Sequence, residues 1–149
     1  MKSVRRSGEP PWILVVDDDA SVREMLGRVF RGEGYHVLSA RNGEEALNIA
    51  SRLRLDLVVL DLNLPLKNGW DIFERLSEVE PLVPVIIVTA RSNQLFMALG
   101  AGAAALLEKP LDFPKLLETV SACLAEPAKV RVDRLAGRKA EFHYLPRSS

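Results

Sequence analysis

Between residues 13 and 125 the apolar positions of the chain change period repeatedly. Ile13–Asp17 is a continuous apolar run that ends in acid, the pattern of a strand buried on both faces. Val22, Met25, Leu26, Val29 and Phe30 then recur at i, i+3, i+4, i+7 and i+8, one face of a helix. An Asp or Ser just ahead of that helix can cap its first turn, and Gly32 and Gly34 end it. Tyr35–Ala40 reads as a second strand, and Asn42 caps a helix through Leu53 with Ala46, Leu47, Ala50 and Leu53 as its inner stripe. Leu57–Asp61 is a third apolar run that again ends in aspartate. Pro65 and Gly69 punctuate the loop after it. Ile72, Phe73 and Leu76 mark the next helix, which Trp70 and Phe73 pack against the sheet. Val85–Ala90 predicts a fourth strand, Gln94–Leu99 a short helix, and Ala105–Glu108 a weaker fifth strand. Phe113, Leu116, Leu117, Val120 and Leu124 describe a last amphipathic helix.

Alternation of strands with helices requires right-handed crossovers and a mostly parallel sheet covered on both faces, a doubly wound α/β domain. No internal repeat of solenoid length is present. From Glu126 onward the periodicity is lost. Pro127, Gly137 and Pro146 sit there among charges, with one apolar-aromatic cluster at Phe142–Leu145. The expected organisation is a basic N-terminal extension at 1–11, a folded domain at 12–125 and a flexible basic C-terminal tail at 126–149.

Composition adds limits to this picture. A chain of 149 residues, 48% hydrophobic and 27% charged, suits one globular domain with a single core and excludes a disordered chain. No apolar run approaches the roughly 20 residues that span a bilayer, and no secretory signal precedes the first strand. Cys123 is the one cysteine, so no internal disulfide forms; a reducing cytoplasm is the expected location and Cys123 a packed thiol. Basic and acidic residues number 20 each, but nine of the bases and only four of the acids lie outside Ile13–Ala125. Basic ends on an acidic body can signal nucleic acid, yet no recognition motif accompanies them. Solubilising or linker ends are expected instead, with neither direct DNA binding nor membrane contact.

The chemistry concentrates on one edge. In an open parallel sheet the functional crevice lies beyond the carboxyl ends of the strands. Those ends carry Asp17, Asp18 and Asp19, then Asp61, Thr89 and Lys109. Clustered carboxylates raise one another's pKa and cost stability unless a cation neutralises them. Oxygen-only ligands in an incomplete cage suit Mg²⁺, which commonly bridges carboxylates to phosphate. A carboxylate can be the nucleophile in phosphoryl transfer, and Asp61 is the candidate; an ammonium and a hydroxyl supply fixed donors for the phosphoryl oxygens. The Lys109–Pro110 bond is expected to be cis. Asp19 is expected to cap the first helix. Neither His36 nor His143 has a catalytic context.

The stretches VVDDD, LVVLDLNLP, VTA and EKP, in this order and spacing, resemble the receiver domain of two-component response regulators over Trp12 to Ala125. The resemblance implies a flavodoxin-like (βα)5 sandwich whose five-stranded parallel sheet runs 2-1-3-4-5. It implies an aspartyl phosphate on Asp61, taken from a histidine kinase or histidine phosphotransfer protein. Asp18 would ligate Mg²⁺ directly and Asp17 through water, with Asp61 and the Asn63 backbone carbonyl completing the metal set. Thr89 and Lys109 would bind phosphoryl oxygens. Such a protein is a signalling switch rather than an enzyme, beyond self-catalysed transfer and slow autodephosphorylation. It acts through contacts with a downstream protein or a phosphorylation-dependent homodimer.

Two departures bear on the signal. The family's aromatic residue three positions before the lysine is replaced by Leu106, and the stretch from Arg91 to Gly102 is about two residues short. These leave a second reading, a constitutive binding module of the same fold, and a third in which the chain is the receiver fragment of a longer regulator. A phosphotransferase or phosphatase is disfavoured because Asn63, two positions after Asp61, is a poor general acid.

Overall fold

The apolar runs become the middle layer of a sandwich in the computed structural model, which describes residues 8–64, 69–138 and 140–147. The elements are β1 (Trp12–Val16), α1 (Ala20–Gly32), β2 (His36–Ala40), α2 (Gly43–Arg52), β3 (Leu57–Asp61) and α3 (Gly69–Val79). They continue as β4 (Val85–Thr89), α4 (Leu95–Ala101), β5 (Ala105–Glu108), α5 (Phe113–Ala125), α6 (Ala128–Leu135) and β6 (His143–Leu145). All strands pair in parallel, in the order β2-β1-β3-β4-β5-β6.

Two expectations are corrected here. The five-stranded 2-1-3-4-5 sheet is extended at its β5 side by a sixth strand. Within the stretch 126–149, expected as a flexible tail, α6 and β6 are formed. The cause is physical. The fixed face of α6 is made by buried arginines, not apolar residues, and β6 is three residues long and paired with β5, so neither leaves a hydrophobic period. Pro65, Lys139 and the bases of the N-terminal extension, Lys2, Arg5 and Arg6, lie outside the described residues.

Period-two alternation sends each strand's side chains to both layers. Ile13, Val15, Leu57, Val59, Ile86 and Val88 cluster with Leu26 and Phe30 of α1 and Leu116 and Val120 of α5. Leu14, Val16, Val58, Leu60, Val85 and Ile87 cluster instead with Ala46 and Ala50 of α2 and Ile72, Phe73 and Leu76 of α3. β3 and β4 are buried along their whole length, whereas β2 lies at an edge and is half exposed. Each fully buried aliphatic side chain contributes roughly 1.5–3 kcal/mol, so this two-sided core orients every strand end toward one edge.

Local signals hold the helices in place. The Asp19 carboxylate caps α1 by accepting from the Ser21 N–H at 2.8 Å, as expected. Asn42 caps α2 through the Glu45 N–H, and Asp112 caps α5 through the Lys115 N–H. Gly69 opens α3 where a Cβ would fall 2.5 Å from the Leu62 Cα, so only glycine lets the helix start this close to the end of β3. Gly102 ends α4 at φ +86, the left-handed conformation of a helix C-cap.

α6 is fastened by charge. Arg131, 2% exposed, donates to the carbonyls of Pro81 (3.0 Å) and Gly102 and to the Ser77 hydroxyl (3.3 Å). Its guanidinium also lies 6.0 Å from the centre of the Phe73 ring. Burial, and then the neighbouring Arg134, lower its pKa to about 10, which still leaves it charged at pH 7. Arg134 donates to both carboxylate oxygens of Glu126, at 3.0 and 2.8 Å, and to the Glu141 carbonyl at 2.7 Å. Among the described residues no helix is long and apolar enough to cross a membrane. Replacing Arg131 by alanine strands two carbonyls that it now satisfies. Arg131→Ala is expected to lower the unfolding free energy by about 2–4 kcal/mol, read from urea denaturation at pH 7.

Candidate functional site

The carboxyl ends of β1, β3, β4 and β5 bring four of the expected groups to one edge. Asp17 and Asp61 are 3% and 4% exposed and Thr89 is fully buried. The Lys109 ammonium stands between the acids, 3.0 Å from Asp61 Oδ2 and 3.6 Å from Asp17 Oδ2. Lys109 follows β5 and donates its backbone N–H to the Thr89 carbonyl at 2.8 Å; its bond to Pro110 is cis, as expected. Asp18 is exposed, with a carboxylate oxygen within 4.8 Å of those of Asp17 and Asp61. Asn63 is exposed and donates its N–H to Asp61 Oδ1 at 2.9 Å.

Several further residues hold this edge. Arg23, on α1, donates to the Asp17 carbonyl at 2.7 Å. Arg91 donates its N–H to Thr89 Oγ1 at 2.9 Å and its Nε to Asn63 Oδ1 at 3.0 Å, tying the loop after β4 to the loop after β3. Trp70, packed edge-on against Phe73, donates its indole N–H to Gln94 ahead of α4.

The electrostatics are those of an acidic pair with insufficient counter-charge. Burial raises the Asp17 pKa to about 6; the charge of Asp61 adds to the rise, while the Asp19 N–H and Lys109 oppose it. For Lys109 burial acts downward, but the hydrogen bond and charge of Asp61, with the charge of Asp17, outweigh it and hold the ammonium above its ordinary range. Two carboxylates and one ammonium are thus incompletely balanced, and a third carboxylate, Asp18, borders them.

A second group of potential ligand atoms, on Cys123, Glu126 and His143, also lies within 4.8 Å. Glu126 is there committed to Arg134, whose positive charge opposes a cation. Burial, with the charge of Glu126, pushes the Cys123 thiol up to about 12, so it is a neutral packed thiol.

The sequence pattern of the response regulator receiver domain matches residues 13–121. The chain belongs to the response regulator receiver family. It is 41% identical over 124 residues to the DNA-binding response regulator MtrA of Mycobacterium tuberculosis, covering 79% of this chain and 54% of that protein. The chain thus spans about half the length of this relative and less than a third of the transcriptional regulatory protein ZraR of Klebsiella oxytoca, at 27%. A receiver domain protein from Methanospirillum hungatei superposes with a TM-score of 0.74 at 29% identity, over 77% of this chain and 94% of that one. The Thermotoga maritima response regulator TrrA, solved with Mg²⁺ and a beryllium fluoride group, gives 0.69 at 32%, over 76% and 98%.

This receiver therefore has the flavodoxin-like fold expected, extended by one strand. Phosphorylation and Mg²⁺ are typical of its family, whose members are signalling domains. Leu106, at the family's usual aromatic position, is fully buried in the core on the α3 and α4 side. α4 is short, seven residues from Leu95 to Ala101. A carboxyl whose pKa is raised by folding carries its destabilising charge above about pH 6 and sheds it as the pH falls toward 3.8. Asp17→Asn is therefore expected to stabilise the metal-free protein at pH 7.5 by about 1–3 kcal/mol. In thermal melts the gain should shrink as the pH falls through 6 and Asp17 itself takes up a proton.

Proposed function

We propose that this receiver is a phosphorylation-controlled switch whose phosphoacceptor is Asp61. The observation that carries the reading is the Lys109 ammonium held between two buried carboxylates, 3.0 Å from Asp61, with the Thr89 hydroxyl at the neighbouring strand end. In the transfer an Asp61 oxygen forms the new O–P bond. The N–P bond of a phosphohistidine, on a histidine kinase or phosphotransfer protein, breaks, and the imidazole nitrogen keeps the electron pair. Lys109 and Thr89 donate to the phosphoryl oxygens, where charge accumulates in the transition state. The Asn63 N–H steadies the Asp61 carboxylate during approach.

The donor set fits Mg²⁺. It consists of oxygen atoms from Asp17, Asp18 and Asp61 within 4.8 Å of one another, and Asp17 is held above its ordinary range by burial and, less, by the charge of Asp61. These three residues and the Asn63 backbone carbonyl would hold the ion, which supplies charge neutralisation for the incoming phosphoryl group. The buried Leu106 favours one second reading, a constitutive binding module, because a leucine side chain there has no hydroxyl to follow Thr89.

Intact mass after incubation with Mg²⁺ and acetyl phosphate separates the two readings. The expected result is one phosphoryl adduct, absent in Asp61→Asn and suppressed by a chelator. Lys109→Ala should slow its formation by about a hundredfold, the cost of one lost donor to the transition-state oxygens. No adduct in the wild-type protein would establish the binding-module reading instead.

A further inference from the structure

Residues 143–147 lie alongside the strand ends that carry Thr89 and Lys109. Entering β6, it is clamped by Arg134, which donates to the Glu141 carbonyl, and Phe142 and Leu145 pack on the two core layers. β6 pairs with β5 through three residues, Ala105 with His143, Leu106 with Tyr144 and Leu107 with Leu145. Beyond it, the Arg147 N–H donates to Glu108 Oε1 at 3.1 Å and the Arg147 guanidinium donates to the Ala90 carbonyl at 2.7 Å. These two anchors are chain neighbours of the two phosphoryl donors: Ala90 follows Thr89, and Glu108 precedes Lys109. Thr89 and Glu108 are themselves register partners across β4 and β5.

We propose that residues 143–147 form a strap on the β5 edge that is released when Asp61 carries a phosphoryl group. The inference rests on the assignment of Asp61 as phosphoacceptor. A phosphoryl group brings three oxygens into the space where Lys109 now touches Asp61 and Asp17. The Thr89 hydroxyl and the Lys109 ammonium turn to those oxygens. The turn at 89–91, closed by the Arg91 N–H on Thr89, turns with them and carries the Ala90 carbonyl away from Arg147. Apart from Ala90, its far end is held by Glu108, which accepts the Arg147 N–H and lies 3.8 Å from Arg147 Nε. A cleft of about 290 Å³ bordered by Pro110, Leu111, Lys115, Pro146 and Arg147 lies there, so polar contacts rather than apolar packing fasten it. A three-residue edge strand has low local stability, so losing the Ala90 anchor lowers the cost of opening it. The strap in this way couples site to surface without the aromatic residue that Leu106 replaces.

The coupling is reciprocal, because whatever loosens the strap must also favour the occupied site. Hydrogen–deuterium exchange of the full chain with Mg²⁺, with and without beryllium fluoride as phosphoryl mimic, reads the first direction. Amides 143–145 and 147 are expected to exchange at least about tenfold faster in the adduct, with β1 to β4 unchanged. Intact native mass on the same samples reports whether the adduct forms. An adduct with unchanged or slower exchange at 143–147 overturns the strap alone, and no adduct at all overturns it together with the Asp61 assignment. The second direction uses Arg147→Ala, at an exposed side chain. This variant is expected to bind beryllium fluoride about three- to tenfold more tightly than the wild type. Equal or weaker binding overturns the coupling, since an arginine that merely orders the tail would leave the affinity unmoved.

Discussion

Lys109 places its positive charge between two carboxylates that folding removes from water. Its ammonium, 3.0 Å from Asp61 and 3.6 Å from Asp17, offsets repulsion that would otherwise oppose bringing the ends of β1 and β3 together. Burial, with the remaining charge of Asp61, still raises the Asp17 pKa to about 6. That partial balance leaves net negative charge at the edge, which favours a further cation. The structure around it depends on keeping this arrangement rigid. The register of β3 with β4 and of β4 with β5 fixes where Asp61, Thr89 and Lys109 sit, and the buried aliphatic layers on both faces prevent slippage.

The second organising feature is the use of arginine as structural filling. Arg131 and Arg134 take positions on α6 that an amphipathic helix would give to leucine; Arg131 donates to oxygens of distant segments and Arg134 to Glu126 and the Glu141 carbonyl on either side of the helix. A buried guanidinium is costly unless all its partners are in place, so these contacts specify one position for α6 more sharply than apolar packing would. Through the Arg134 bond to the Glu141 carbonyl, that position also aims the chain toward the β5 edge. Core, arginine clamp and strap are thus consecutive parts of one path that ends at Ala90.

Much of the fold was legible because parallel strands buried on both faces leave unbroken apolar runs, as at Ile13–Val16 and Leu57–Leu60. The site residues at the strand ends were legible for the same reason: Asp17, Asp61, Thr89 and Lys109 stand where such runs stop. Asp19 was readable as a cap from its place one residue before α1. The sixth strand was not. His143–Leu145 is too short to show a period, and its partner β5 lies far back in the chain, with His143 opposite Ala105. Arg91 reaches Asn63 across 28 residues and Arg147 reaches Ala90 across 57, and no local pattern encodes either.

Periodicity and strand-end identity are local properties, so the order of amino acids was enough to establish the alternation of elements, the doubly wound class and the chemistry gathered at one edge. The balance of charge, the reach of Lys109 to both Asp61 and Asp17, and the return of the C-terminal segment to the sheet emerged only in three dimensions. Those outcomes are distances between residues far apart in the chain. They are set by packing the layers together, and no single stretch carries them.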